Sequence, residues 1–291
     1  MLLVGEVKRQ LGVDFSLEQI VATLSSLGFG CKPGSSAAEV MVTVPYWRSD
    51  IRLVVDLVEE IARIRGYDTI PTTMLSQPIP RQNPEPIIRL KRELRNRLSG
   101  YGFQELVTYS LTSLEMLTRL LPEAHSFEPM PLRVANPMSA ELEYLRPNLR
   151  ANLLAALALN RRHEDGAIKL FELGRVYHPR SGDLPLEPET LCGLLSGAKI
   201  RNSWQGGDKA VDFFETKGVV EGLLQQLGVT ASFESGSDEG LHAAKQAAIV
   251  IRDSRVGVVG ELHPKVLENF EISEAAYLFE IDLATLLPFT I

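Results

Sequence analysis

Between Pro71 and Pro86 the chain carries Pro78, Pro80 and Pro84 among threonine, serine, glutamine and asparagine. Proline fixes φ and has no N–H to donate, so neither a helix interior nor a central strand runs through such a stretch. The chain is thereby divided into a module over residues 1–75, a proline-rich linker over 76–86 and a larger domain over 87–291. With 291 residues, 45% of them apolar and 23% charged, both parts have enough material for a buried core.

In the first module, Ser16 and Gln19 have capping-box spacing, and Leu17, Ile20, Val21, Leu24 and Leu27 follow at helical period. Gly28 is a natural stop for that helix. Val40, Val42 and Val44 alternate with Met41 and Thr43 as in a strand, which Pro45 closes. Helix, strand and helix in so short a span predict a winged-helix-like α+β unit.

The second helix of this module lies in PYWRSDIRLVVDLVEEIARIRGYDTIP, residues 45–71. Asp50, Asp56, Glu59 and Glu60 fall within eleven positions around its start. At 3.6 residues per turn, Asp56, Glu59, Glu60 and Arg63 share an arc of roughly 100°, and Leu57, Val58, Ile61 and Ile64 take the other side. Gly66 ends the helix. The residues admit two readings. One is the solvated polar face that any amphipathic helix needs. The other is a site for a hard cation such as Mg²⁺, which selects oxygen ligands and accepts a cage completed by water or another chain. Pattern alone does not choose between them.

Beyond Pro86, Ile87, Leu90, Leu94 and Leu98 mark a helix with a basic outer face (Arg89, Lys91, Arg92, Arg95, Arg97) that Gly100 ends. A strand is predicted at 106–111, a short helix from Ser113 and a longer one over 148–161. Further strands are predicted at 168–177, 190–196, 245–252, 255–262 and 276–282, with a helix over 214–227. Short turns such as Asp253-Ser254 favour a largely antiparallel sheet flanked by helices.

Several chemistries are poorly supported. There is no Gly-x-Ser-x-Gly, no Walker loop and no dinucleotide fingerprint; Gly206-Gly207 has the wrong context. The five histidines pair with no nucleophile signature, and His263-Pro264 reads as a helix start. A net charge of −7 argues against broad neutralisation of nucleic acid, and the basic helix has no interleaved aromatics for base stacking. Cys31 and Cys192 lack metal or redox spacing, which suits a reduced compartment. No segment approaches a membrane span and the N-terminus turns polar too soon for a signal peptide, so a soluble, cytoplasmic chain is expected.

PYWRSDI with DLVEEIARIRGYDTIP closely resembles the B5 domain of the phenylalanyl-tRNA synthetase beta subunit, and QLGVDFSLEQIVATLSSLGF fits the first half of that domain. RLKRELRNRLSGYGFQELVTYSL, NPMSAELEYLRPNLRANLLAALALNRR, LFELGRVY, VGELHPKVLENF and FEIDL resemble the catalytic-like domain of the same subunit, in the same order. The resemblance implies an α+β chain: a B5 module followed by a class II synthetase-like antiparallel sheet flanked by helices. It implies that Asp50, Asp56, Glu59 and Glu60 bind Mg²⁺ in a site shared with the alpha subunit, and that the isolated chain holds the metal weakly.

The resemblance also implies an ATP-dependent ligase, a heterotetramer with the alpha subunit in which tRNA is engaged by the complete complex and the alpha subunit does the chemistry. This domain is expected to activate no amino acid and to have no catalytic residue of its own. Class II enzymes place an ATP-clamping arginine just after the strand matching FELGRVY, where this chain has His178-Pro179. The glycine-rich segment ending in arginine is missing, and where the first motif has proline the chain continues as Val107, Thr108, Tyr109 and Ser110. The family's tRNA-binding N-terminal region, editing domain and anticodon-binding domain have no counterpart here, so the chain is expected to be a piece of a longer subunit. A docking role predicts exposed apolar surface. The alternative is a stand-alone nucleic-acid-binding or protein-docking module without ligase activity, against which the acidic helix weighs.

Overall fold

In the computed structural model, which describes residues 1–74, 83–123, 127, 129–164, 166–197 and 210–290, the chain separates into two units, Met1–Arg81 and Gln82–Ile291. Most of the expected linker, residues 76–82, and the Gly206–Gly207 pair lie outside the described residues.

The first unit runs β1 (Leu2–Leu3), α1 (Val4–Leu11), α2 (Leu17–Ser26), β2 (Gly30–Pro33), β3 (Glu39–Thr43) and α3 (Val54–Arg65). The three strands form an antiparallel sheet in the order β1-β3-β2. The Ser16–Gln19 capping box starts α2, with both reciprocal hydrogen bonds made. Gly28, at φ +83°, takes the left-handed turn that releases the chain after α2. Leu2, Val7, Ile20, Leu24, Val40, Leu57, Val58 and Ile61 form one core. Residues 2–11 escape sequence reading because Gly5 interrupts a short apolar pattern whose polar side is almost as long. Ile64 differs from expectation: it is exposed, beyond the edge of that core.

The second unit opens with α4 (Pro86–Gly100), β4 (Gln104–Glu105), β5 (Leu111–Thr112), α5 (Leu114–Thr118), β6 (Tyr144–Leu145), α6 (Arg150–Arg161), β7 (Ile168–Arg175) and β8 (Glu189–Ser196). It continues with α7 (Phe213–Gln226), β9 (Ser232–Ser235), β10 (Leu241–Ile251), β11 (Ser254–Leu262), α8 (Pro264–Asn269), β12 (Ala276–Asp282) and α9 (Leu283–Leu286). Among the described residues the main sheet has the order β4-β7-β8-β12-β11-β10-β9. Every pairing is antiparallel except β4 with β7.

Helices cover both faces. On one, Leu90, Leu94 and Leu98 of α4 join Val220, Leu223 and Leu224 of α7 over Phe171, Phe279 and Val259. On the other, Leu153, Leu154 and Leu157 of α6 join Val266 and Leu267 of α8 over Leu170, Leu194, Leu278 and Val258. A sheet buried on both faces explains why these strands read as continuous apolar runs. His263 caps α8, its Nδ1 accepting the Lys265 amide at 3.1 Å with Pro264 in the first turn, which is a structural role.

The strand expected at 106–111 is not continuous. Gln104 and Glu105 pair with Leu170 and Phe171, the Leu106 amide still donates to the Phe171 carbonyl, Leu111 and Thr112 pair with Leu145 and Tyr144, and residues 107–110 belong to no ladder. Thr108 is instead taken by a side chain: its N–H and hydroxyl both donate to the Glu172 carboxylate, at 3.2 and 2.7 Å.

The centre of the sheet is a row of three: Phe171 on β7 and Phe279 on β12 both sit opposite Gly193 on β8. Both rings are fully buried, and Phe279 stacks edge-to-face on Phe103 at 5.9 Å. A Cβ at position 193 would come within 2.1 Å of the Phe279 ring. Gly193→Ala is therefore expected to destabilise this unit by about 1–3 kcal/mol, read as a lower midpoint in chemical denaturation.

Candidate metal centre and docking face

α3 starts where Asp56 folds back on its own backbone. Its Oδ2 accepts the amides of Arg52 and Leu53, each at 2.7 Å. Those two hydrogen bonds hold the Asp56 carboxyl below the usual carboxylate range and satisfy donors that the helix start leaves unpaired. One turn later Glu60 is buried at 8% exposure, although pattern places it on the polar face. It is paid in charge by two arginines: Arg48 donates to it at 2.9 Å and Arg63 at 2.5 Å. Arg48 also forks onto Asp50, with Nε and the terminal nitrogen at 3.0 and 2.7 Å, and its guanidinium lies over the Phe29 ring at 5.5 Å. Arg48 holds the Asp50 carboxyl low, and Arg48 with Arg63 does the same for Glu60.

Asp50 and Glu60 thus converge on one guanidinium, Asp56 serves the helix start, and Glu59 is exposed with no described residue paired to its side chain. Among the described residues, no three His, Cys, Asp or Glu side chains form a group able to hold a metal ion. The donor chemistry still fits a hard divalent cation, since all four groups are carboxylates and a positive charge already stands between two of them. The solvated-stripe reading does not describe Glu60. Beside the cluster, Tyr46, Trp47, Leu53, Val54 and Val55 expose apolar surface.

In the second unit, Glu172 of β7 is 2% exposed and pairs with Arg146, 3% exposed, at 2.7 Å. Arg146 also donates to the Thr108 hydroxyl and to the Arg175 carbonyl, and Asn152 of α6 donates to the Thr108 hydroxyl and the Tyr109 carbonyl. Thr108 is held inward from several sides. Its neighbours Val107 and Tyr109 are 91% and 79% exposed.

After β7 the backbone of His178 closes an antiparallel bridge with Leu186. Nearby, Arg150 at the start of α6 reaches Glu280 of β12 at 2.8 Å and Asp238 at 2.9 Å. A cavity of about 290 Å³ lies here, bounded by Asn148, Arg150, His178, Thr190, Arg255 and Glu280 among others. Burial raises the Asp238 carboxyl, but the hydrogen bond and charge of Arg150 outweigh it and the net shift is downward.

Sequence reading found the four carboxylates and missed the arginines. A signal existed: Glu172 interrupts the apolar run Leu170–Leu173, and a charge inside a buried strand requires a partner. The basic face of α4 is largely answered within the unit, with Lys91 on Glu189, Arg95 on Glu105 and Arg97 on Glu93, which leaves little for a phosphate backbone.

Because Asp238 has a lowered carboxyl pKa in the folded chain, its contribution to stability is present above the ordinary aspartate range near 3.9 and is lost as pH falls through the lower folded value. Asp238→Asn is expected to cost about 1–3 kcal/mol at pH 7 and to flatten the loss of stability on acidification below about pH 4. Calorimetric melting of both proteins between pH 3 and 7 checks this.

Comparison with known proteins places the chain in a family. Residues 70–283 match the phenylalanyl tRNA synthetase beta chain CLM domain, and residues 2–67 match the tRNA synthetase B5 domain. The phenylalanine–tRNA ligase beta subunit of Dehalococcoides mccartyi strain 195 is 41% identical over 99% of this chain and 36% of its own length. Those of Halalkalibacterium halodurans and Bacillus subtilis are 36% and 35% identical, each over 97% of this chain and 35% of their own length. The chain spans about a third of the length of the curated relatives it matches. A crystal structure of pyrrolysyl-tRNA synthetase from Desulfitobacterium hafniense shares the fold, with a TM-score of 0.53 at 17% identity, over 69% of this chain and 68% of that one. Among the described residues, no helix is long and apolar enough to cross a membrane. The antiparallel sheet with its helical covers, the acidic helix ahead of it and these matches along nearly the whole chain identify it as a member of the phenylalanyl-tRNA synthetase beta chain family.

Proposed function

We propose that the chain is an architectural part of a phenylalanine–tRNA ligase, holding a catalytic alpha subunit in a heterotetramer that engages tRNA as a complete complex. The observation that carries this reading is the state of the sheet face where a class II enzyme would clamp ATP. Arg150 there is already committed to Asp238 and Glu280, and His178 stands where the clamping arginine is expected. Asp238, Glu280 and Asp282 line the same cavity, so a triphosphate would meet fixed negative charge there, with the Arg150 guanidinium already paired and Arg255 at the wall. A synthetase fold with a closed nucleotide site retains a use as a docking surface.

Val107 and Tyr109 supply apolar contacts for such docking, and Thr108 between them removes their freedom to turn inward. In the first unit, Asp50, Asp56, Glu59 and Glu60 would hold Mg²⁺ jointly with the alpha subunit. Bound there, the ion would supply charge neutralisation between subunits and no part of the transfer chemistry. Among the described residues the ligand set is incomplete, so tight stoichiometric Mg²⁺ binding by the chain alone in calorimetry would contradict a shared site.

Mixing the chain with a phenylalanyl-tRNA synthetase alpha subunit is expected to give a stable complex on size-exclusion chromatography. The chain alone is expected to show no phenylalanine-dependent pyrophosphate exchange; measurable exchange would sink the architectural reading. Tyr109→Asp should weaken assembly by roughly 30-fold or more, the cost of an interface anchor worth about 2 kcal/mol, with the melting temperature of the chain little changed. Unaltered assembly would move the docking face elsewhere.

A further inference from the structure

We propose that Arg48 is the resident counter-cation of the acidic cluster and controls when a divalent metal can enter it. The inference rests on reading Asp50 and Glu60 as metal ligands. Glu60 is too buried to stand as an unpaired carboxylate, so something positive must accompany it whenever no metal does. Arg63 is the weaker of its two partners in this respect: its side chain is 48% exposed and it lies on the helix itself, three residues on. Arg48 comes from the segment before the helix, and its guanidinium is packed between Asp50, Glu60 and the buried ring of Phe29. Its Nε reaches both oxygens of Asp50, and its terminal nitrogen bridges Asp50 and Glu60.

A divalent ion on these two carboxylates would need the oxygens the guanidinium now holds. The two cations also repel within a few ångströms, and even near the surface that repulsion is enough to lower metal affinity roughly 10- to 30-fold. Arg48 therefore offsets the charge of Asp50 and, with Arg63, that of Glu60 in the free chain, and admits the metal only when its guanidinium is drawn away, for which a partner carboxylate at a docked interface is the fitting chemistry. The same residue would further weaken metal binding by the chain alone, beside the ligands left for the alpha subunit to supply. It acts on the metal through the carboxylates and is a positioning residue.

The test is calorimetric Mg²⁺ titration of the full chain, compared with Arg48→Gln and Arg63→Gln. Arg48→Gln is expected to bind Mg²⁺ roughly 10- to 30-fold more tightly than the parent, and Arg63→Gln to show a much smaller gain. Equal or weaker binding by Arg48→Gln would mean that Arg48 shapes the ligands instead of competing with the metal, and would overturn the proposal. Should Arg48→Gln fail to fold, nitrogen-15 NMR of the arginine Nε–H groups in the parent chain decides the matter. Saturating Mg²⁺ is expected to shift the Arg48 Nε–H signal toward that of a solvent-exposed arginine, and an unmoved signal at saturation would overturn the proposal. Failure of the underlying reading looks different: no Mg²⁺ binding dependent on these carboxylates by parent, variant or the complex with the alpha subunit removes the shared site, and the role of Arg48 with it.

Discussion

Burying Glu172 inside a strand covered on both faces obliges the second unit to bring a cation to it, and that requirement organises the region around it. Arg146 supplies the charge from the segment before α6, and Thr108 and Asn152 complete the hydrogen bonds. An unpaired carboxylate at this depth would cost several kcal/mol, so the four positions stand or fall together. The consequence reaches the surface. Thr108 is tied inward, the chain at 107–110 joins no ladder, and Val107 and Tyr109 face solvent.

The same device recurs twice. Arg150 answers Asp238 and Glu280 on the sheet, and Arg48 answers Asp50 and Glu60 ahead of α3. Each time a planar guanidinium with several donors satisfies two acidic side chains at once, which an ammonium group does less well. In the sheet this fixes the charges along one wall of the cavity at the start of α6. At α3 it ties the segment before the helix to the buried Glu60. The fold is shared with a pyrrolysyl-tRNA synthetase, but a shared fold does not fix what its surfaces do.

Much of the architecture is legible in the residues. The Ser16–Gln19 capping box, the helix over 213–226 and the strands β7, β8, β10, β11 and β12 follow from capping chemistry and from periodicity, which report local conformation directly, whereas the short β9 does not. The segment at 106–111 was less legible, because alternation describes an extended chain equally well whether its amides meet a neighbouring strand or the carboxylate of Glu172. In the candidate metal centre the carboxylates are conspicuous in sequence, and the arginine twelve residues before Glu60 is not.

The sequence by itself determined most of the helices and the long strands of the main sheet, the presence of four carboxylates in one short stretch and the family the chain resembles. These depend on residue type and spacing, which are properties of the chain as written. Only the tertiary structure decided which charges meet: that Glu60 is buried, that Arg48 lies between it and Asp50, and that Arg150 is already committed on the sheet. Charge pairing depends on distance and on exclusion of water, and neither exists until the elements have packed.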